Sequence, residues 1–345
     1  MLKILISKSY FSQEDYNKAI SRHAYRGYEA SDKPEMIDIK KPKLRGKAFS
    51  ILCHLRNFGF FINFINPSSN LFSEDCYELF RRLSALVEFV MAPKIRHDEV
   101  VNFEEDIIEY LNLRSRIYQE YPGCMNKPKP KTHYLSHYGM SMLMYGPSIG
   151  VCTSRYESKH RTAKMLATSA KNFVNIAKTL ATRQQYRLAS VYYNGMYETK
   201  DVQFNAAVKR KSDIEYSPVN ASILQKISEF MDENSICTNE VVFKNQAYKS
   251  EDVVILEAVN SNHVNVGVIQ AAIYKQETLY FLVYKYEALR DVNLRYFVTV
   301  SAATPALCFV MASRIQDYKP LIKHGSFQKF KFCLHHHISA HNDDE

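Results

Sequence analysis

Two histidines and one isolated acid lie in the middle of this chain, among residues that could bind phosphate or metal. His133 and His137 are four residues apart, and Glu157 follows at the head of a basic run. Cations at this density bind the phosphates of polyanions, and a lone carboxylate among them can help to hold a divalent metal. The basic run contains eight cations: Arg155, Lys159, Arg161, Lys164, Lys171, Lys178, Arg183 and Arg187. The segment therefore indicates a site that handles a polyanion.

A helix is the element that the spacing of these cations predicts. Lys164, Lys171 and Lys178 are each seven residues apart, so they share one helix face. Leu166, Phe173 and Leu180 share another face about 200° away. We therefore expect a packed side and a cationic side over roughly five turns, and the pattern also allows a break near Ala170–Asn172. The alternative is a solvated helix face without a ligand.

The elements around this segment predict an α+β protein. Apolar residues at three- and four-residue steps predict helices over Glu74–Met91 and Val100–Tyr121 before the site and over His133–Tyr145 within it. After residue 235 the pattern becomes β-branched and aromatic, with polar breaks, which is typical of a small antiparallel barrel or sandwich. The expected strands are Val253–Val259, Val264–Ile273, Leu279–Tyr284, Leu294–Val300, Leu307–Met311 and Phe327–Leu334.

Four regions are expected along the chain. Residues 1–43 read as an N-terminal helix and connection, and residues 44–200 as a helical region that carries the basic run. Residues 201–235 read as a linker with a short helix, and residues 236–345 as a small β domain. A mostly helical first two-thirds followed by an antiparallel β structure is therefore the predicted architecture.

The charge distribution assigns a polyanionic partner to the first part of the chain. The chain has 345 residues and a formal net charge of +9. Residues 1–200 carry 30 Lys or Arg against 19 Asp or Glu, a difference of +11, and residues 201–345 carry 15 against 17, a difference of −2. DNA or another nucleic acid is the expected partner. No membrane partner is expected, because no stretch approaches the ~20 apolar residues of a membrane span.

The cysteines and the first residues of the chain indicate its expected cellular compartment. Seven cysteines are scattered without a CxxC pair, which is typical of free thiols in a reducing environment. The opening residues show neither a long apolar core nor a small-residue cleavage site. We therefore expect a nuclear or cytoplasmic protein that is not secreted.

The order of the central motifs resembles the C-terminal part of transposase-derived proteins related to CACTA (En/Spm) elements. The segments that carry the resemblance are Lys127–Lys131, His133–Tyr138, Tyr145–Pro147, Arg155–His160 and Lys164–Gln185. The resemblance implies a DDE-type nuclease with an RNase H-like core, in which two aspartates and a late acid hold two Mg²⁺ ions. In such a protein the helices before the site would belong to an insertion domain.

Residue by residue, the resemblance assigns roles to the central segment. Glu157 would be the late acid, and His133 and His137 would bind zinc together with a CxxC pair. By the resemblance, Arg155, Lys159 and Lys164 would contact phosphates. The basic helix itself adds Arg161, Lys171 and Lys178 as candidate nucleic-acid-binding residues. Each assignment has a structural alternative: Glu157 can pair with Arg155 or Arg161, and the two histidines can be ordinary surface or capping residues.

The departures from the family pattern predict a protein that does not cut DNA by itself. The two catalytic aspartates, the CxxC pair and an Asp-x-Met-His segment have no equivalent before Lys43, and Cys152 stands where relatives usually have Trp. One carboxylate does not hold two metals. We therefore expect a catalytically incomplete fragment with no cofactor of its own; Mg and Zn are implied by the resemblance alone.

Three functions remain open at this point. The first is non-specific nucleic-acid binding through the basic helix. The second is an active Mg-dependent transposase or nuclease, if another chain or upstream sequence supplies the aspartates. The third is a protein-interaction module that uses the C-terminal β domain. The run His335–His337, with His341, resembles a metal-ligand set, but alternation along a last strand that runs into an acidic tail explains most of it, so no ligand set is expected there.

Overall fold

The computed structural model of the chain describes residues 1–41, 44, 46–124, 129–153, 163–169, 174–193, 201–204, 208–210, 221–300, 305–317 and 319–339. Helices form most of the first part, and a curled antiparallel sheet follows them, which confirms the predicted α+β class. The helices are α1 (Leu2–Ser7), α2 (Gln13–Arg22), α3 (Ala48–Ile65), α4 (Asp75–Val90), α5 (His97–Glu120), α6 (Pro130–His133), α7 (Tyr138–Tyr145), α8 (Ile176–Tyr193) and α9 (Ala221–Phe230). Residues 163–169 are also helical.

The helical part packs around α3, α4 and α5. The predicted helices Glu74–Met91 and Val100–Tyr121 are α4 and α5, with bounds shifted by one to three residues. Their apolar faces meet in one core, in which the rings of Phe89 and Phe103 stack with centroids 4.3 Å apart. Burial of these faces stabilises the helices more than intrinsic propensity does.

Helix α3 is the central element of this core. Among the described residues it is the one helix that is long and apolar enough to cross a membrane by length and composition, yet 44% of it is buried inside the protein. Phe58, Phe61 and Ile62 are at most 1% exposed. Asn66 ends the helix in the left-handed conformation, with φ 51°. Its packing is that of a core helix.

A long hairpin organises the sheet. Strands β6 (His263–Lys275) and β7 (Thr278–Arg290) pair along their length, and Gln276 and Glu277 make the turn with positive φ values of 48° and 60°. A register shift between Ile269 and Ala271 bends the hairpin, so different strands pair with its two halves. This bend gives the sheet its curl.

The other strands cover the edges of this hairpin. They are β2 (Ile236–Thr238), β5 (Val253–Asn260), β8 (Phe297–Thr299), β9 (Ala306–Met311), β10 (His324–Gly325) and β11 (Phe330–Phe332). Strands β2 and β5 pair with β6, whereas β8 and β9 pair with β7, and β10 and β11 extend the sheet beyond β8. A second small sheet consists of β1 (Val202–Phe204), β3 (Glu240–Phe243) and β4 (Gln246–Lys249).

Charged residues connect the helical part to the sheet. Glu88 of α4 accepts hydrogen bonds from Arg290 at 2.5 Å and from Arg295 at 2.7 Å, and all three side chains are at most 17% exposed. Burial alone would raise the pKa of Glu88, but the two guanidinium groups outweigh it and lower that pKa. The carboxylate therefore stays charged and neutralises two buried cations.

The end of the described chain lies against the helices. The backbone N–H of His337 donates to Glu88 O at 2.9 Å, and its ring lies 3.1 Å from Glu99 Oε1. Cys333 Sγ donates to Arg56 O at 3.3 Å. Residues 236–339 thus share contacts with the helical part, and independent folding of the β domain stays a prediction.

The histidine run is held by acids rather than by strand alternation. Strand β11 ends at Phe332, and His335 and His336 follow it in a bend. Both rings lie within 3.3 Å of the buried Asp317 carboxylate. The expected continuation of the last strand to Leu334 is wrong, because the chain turns from the sheet toward the helices.

Candidate nucleic-acid interface

Helix α8 carries the second half of the predicted basic segment. Asn175 starts it: its side-chain Oδ1 accepts from the backbone N–H of Lys178 at 3.1 Å, and its carbonyl accepts from that of Thr179. Asparagine is a preferred residue at this position because its side chain satisfies an N–H group that the helix leaves free. The helix then continues for eighteen residues to Tyr193, six residues beyond the end of the basic run.

Most residues of α8 are exposed, and the others are half-buried. None of its eighteen residues, all of which the structure describes, is buried. Tyr186 is 72% exposed and Tyr193 is 92% exposed. Of the predicted packed side, Leu166 and Leu180 are half-buried, and Phe173 lies outside the described residues. A helix of this length without packing is only marginally stable in water.

The charges of α8 have one sign. Lys178, Arg183 and Arg187 are exposed, and the helix sequence contains no Asp or Glu. Arg183 and Arg187 are one turn apart and therefore neighbours, whereas Lys178 lies about 140° away from Arg183 around the axis. Tyr186 precedes Arg187 and projects between these positions. The arrangement presents three cations and an aromatic ring to solvent.

Lys164 lies on a separate helical segment. Residues 163–169 are helical, and Val174 and Asn175 form a turn before α8 begins. Lys164 and Lys178 therefore lie on different helical segments, as the predicted break allows, and their sharing of one cationic face stays a prediction. Other predicted residues, namely Arg155, Glu157, Lys159, Arg161 and Lys171, lie outside the described residues, as does the expected break near Ala170–Asn172. Their roles stay predictions.

His133 and His137 lie close together on the surface. His133 ends α6, and His137 ends the 3-10 turn that follows it. Their Nε2 atoms are 3.1 Å apart, a hydrogen bond in which one ring donates and the other accepts. Both residues are exposed. In the described part of the chain, no third His, Cys, Asp or Glu side chain completes a ligand set around them, so the zinc assignment stays a prediction.

A nuclease centre would need several converging carboxylates. Within the described ranges, the one group of three potential ligands is His23, Glu29 and His324, which contains a single acid. Sequence reasoning did not single out these residues, because they come from distant parts of the chain and have no motif spacing. It also passed over Tyr186 and Tyr193, although tyrosines in the acid-free, cationic stretch Ile176–Tyr193 were a signal that could have found them.

Comparisons with known proteins identify no family for this chain. No protein-family model, curated protein or solved structure gives a significant match to this chain. The resemblance to transposase-derived proteins therefore still depends on the quoted motifs.

Proposed function

We propose that this chain binds nucleic acid through α8, without sequence preference, and that it is a transposase-derived protein with an incomplete catalytic centre. The observation that supports this most directly is an eighteen-residue helix that has no buried residue, no acid and three exposed cations. The transposase-derived origin is supported by the motif resemblance alone. The binding proposal does not depend on that origin.

Phosphates are the ligand that best suits this surface. An exposed Lys or Arg that contacts a phosphate releases a condensed counterion, which gives affinity without regard to base sequence. An exposed tyrosine adds a platform on which any base can stack, at about 1–3 kcal/mol for each stacked base. Single-stranded nucleic acid offers both its phosphates and its open bases to such a surface, so we expect it to bind at least as tightly as a duplex of equal length.

The test is the affinity of the full chain for fluorescently labelled single-stranded and double-stranded oligonucleotides, measured by anisotropy. The variant changes Lys178→Glu, Arg183→Glu and Arg187→Glu together. Loss of three phosphate contacts weakens binding by about 100-fold or more at ~0.1 M salt. The matched control changes Lys18→Glu, Lys285→Glu and Lys329→Glu, which alters the net charge equally at exposed positions outside α8.

The affinities of the two variants distinguish binding at α8 from an effect of the overall net charge. If the α8 variant loses affinity and the control keeps it, the proposal is supported. If both variants lose affinity equally, only the overall charge matters and the assignment to α8 is rejected. If the wild-type chain binds no oligonucleotide at low salt but does bind a protein partner, the result favours the protein-interaction module.

An active nuclease is the competing catalytic function. It would nick labelled duplex DNA in the presence of Mg²⁺ or Mn²⁺, and Glu157→Gln would remove that activity. We propose that the chain alone shows no nicking, because the residues that resemble the family supply one acid to a reaction that needs several. Metal-dependent nicking by the purified wild-type chain that Glu157→Gln abolishes would contradict this part of the proposal.

A further inference from the structure

Three potential metal ligands meet where the first helices contact the end of the sheet. His23 directly follows α2, Glu29 lies in the 3-10 turn Gly27–Ser31, and His324 opens β10. One ligand atom from each lies within 4.8 Å of the other two. Two imidazoles and one carboxylate form a donor set that zinc and related transition metals use.

Glu29 is an acid that lacks full compensation. It is 3% exposed, and its Oε1 accepts from Asn57 Nδ2 at 3.2 Å and lies 3.7 Å from an Arg56 nitrogen. Its Oε2 is buried and has no hydrogen-bond partner among the described residues. Burial outweighs the Arg56 and Asn57 contacts and raises the pKa of Glu29. A buried carboxylate oxygen without a partner is costly, and a cation at Oε2 would offset that cost.

The two histidines are placed to act as neutral ligands. Their ring centroids are 4.8 Å apart, and the ring of Phe60 lies within 5.4 Å of both. Nε2 of His23 is buried and has no partner within the described part of the chain. Burial lowers the pKa of His23 to about 4 and that of His324 to about 3. The buried, unpartnered Nε2 of His23 is a nitrogen that a metal could bind.

We propose that His23, Glu29 and His324 bind one divalent transition-metal ion of the zinc class. Tetrahedral zinc bonds of about 2.0–2.1 Å place ligand atoms ~3.3 Å apart, and since the three ligand atoms lie within 4.8 Å of one another, no pair must approach by more than about 1.5 Å. A water completes the four ligands. Mg²⁺ is a poor fit, because it prefers oxygen ligands in an octahedral arrangement.

Such an ion would link an N-terminal part of the described chain to a C-terminal part. His23 and Glu29 belong to the helical part, and His324 belongs to the sheet, so the metal would close a long loop of the polypeptide. An ion that binds the folded form and not the unfolded one stabilises the fold in proportion to its free concentration. The site is separate from α8, and its test does not involve nucleic acid.

Zinc binding by the full chain, measured by competition with a chromophoric chelator and by metal analysis after dialysis, tests the site. We expect one tightly held Zn²⁺ per chain and a higher thermal unfolding midpoint with Zn²⁺ than with Mg²⁺. His23→Gln and His324→Gln should each weaken zinc binding by about 100-fold or more, since even outer-shell changes at zinc sites cost 10–100-fold. Circular dichroism of each apo variant verifies folding.

The control is the double change His133→Gln and His137→Gln, which removes the exposed histidine pair. This variant should retain the bound zinc and the shift in unfolding midpoint. Absence of tightly bound zinc in the wild-type chain would overturn the proposal, and would leave Glu29 with Arg56 as its only charged partner among the described residues. Loss of zinc in the control, with retention in His23→Gln and His324→Gln, would also overturn it and place the metal at the exposed pair.

Discussion

Gly59 of α3 is the position where one added methyl group tests how the helical part and the sheet fit together. A Cβ built on Gly59 would lie 1.7 Å from the backbone O of Leu294 and 2.8 Å from its carbonyl carbon. Leu294 belongs to the segment between β7 and β8. In an open helix interior, Gly→Ala stabilises a protein by about 1 kcal/mol. At this position we expect the opposite sign.

The magnitude follows from how firmly the Leu294 segment is held. Asp291 Oδ1 accepts from the backbone N–H groups of Asn293 at 3.0 Å and Leu294 at 2.9 Å, and Tyr77 OH donates to Asn293 O at 2.9 Å. The backbone oxygen cannot move away without breaking these bonds. Overpacking costs about 1–3 kcal/mol and occasionally more. With a cost of about 3 kcal/mol and a helix gain of about 1 kcal/mol, Gly59→Ala should lower the free energy of unfolding by about 2 kcal/mol.

Urea denaturation followed by circular dichroism measures this change. Gly150→Ala is the matched control, since nothing lies within 4 Å of a Cβ added there, and it should leave the unfolding midpoint nearly unchanged. If Gly59→Ala proves as stable as the wild type or more stable, α3 does not pack against Leu294 as described. The account of the junction between helices and sheet would then be refuted.

Two further predictions concern acids at the same junction. Glu88→Gln leaves two buried arginines without their carboxylate and should cost about 3 kcal/mol or more in urea denaturation, whereas Glu109→Gln, at an ion-paired position that is 60% exposed, should cost less than about 1 kcal/mol. Burial would raise the pKa of Glu99, but hydrogen bonds from His337 and Ser339 lower it from 4.5 to about 2. The stabilising contribution of the Glu99 carboxylate is therefore complete above pH 4.5 and lost as the pH falls toward 2. The Glu99→Gln variant should flatten the pH dependence of the unfolding midpoint in that range. An unchanged pH profile in the variant would contradict this role of Glu99.

Local patterns were enough to predict the elements but not their contacts. The apolar three- and four-residue periodicity before Pro93 predicted α4, and β-branched runs with polar breaks predicted β5 and β6, because both signals arise within one element. The long strand β7 was predicted only to Tyr284 and continues to Arg290. Its last residues alternate between the exposed Lys285 and Glu287 and the buried Tyr286 and Ala288, which belong to the sheet core, so charged residues interrupt the apolar run.

Local sequence patterns were also not enough to predict the candidate metal site and the exposure of α8. His23 and His324 lie close together only in the folded chain, so their proximity could not be predicted from their spacing in the sequence. The basic run was visible from composition, but the exposure of α8 was not: Leu166, Phe173 and Leu180 predicted a packed face, and the structure leaves Leu166 and Leu180 only half-buried. Whether an amphipathic helix is covered depends on the rest of the fold, so periodicity alone could not decide it.

The salt dependence of nucleic-acid binding tests the central claim most directly. Affinity for a single-stranded oligonucleotide is measured by anisotropy at several salt concentrations for the wild-type chain and for the Lys178→Glu, Arg183→Glu, Arg187→Glu variant. Each phosphate contact contributes about 0.7 to the slope of log affinity against log salt on single strands. The account predicts a variant slope shallower by about 2. Equal slopes for the two proteins would show that α8 does not contact the phosphates.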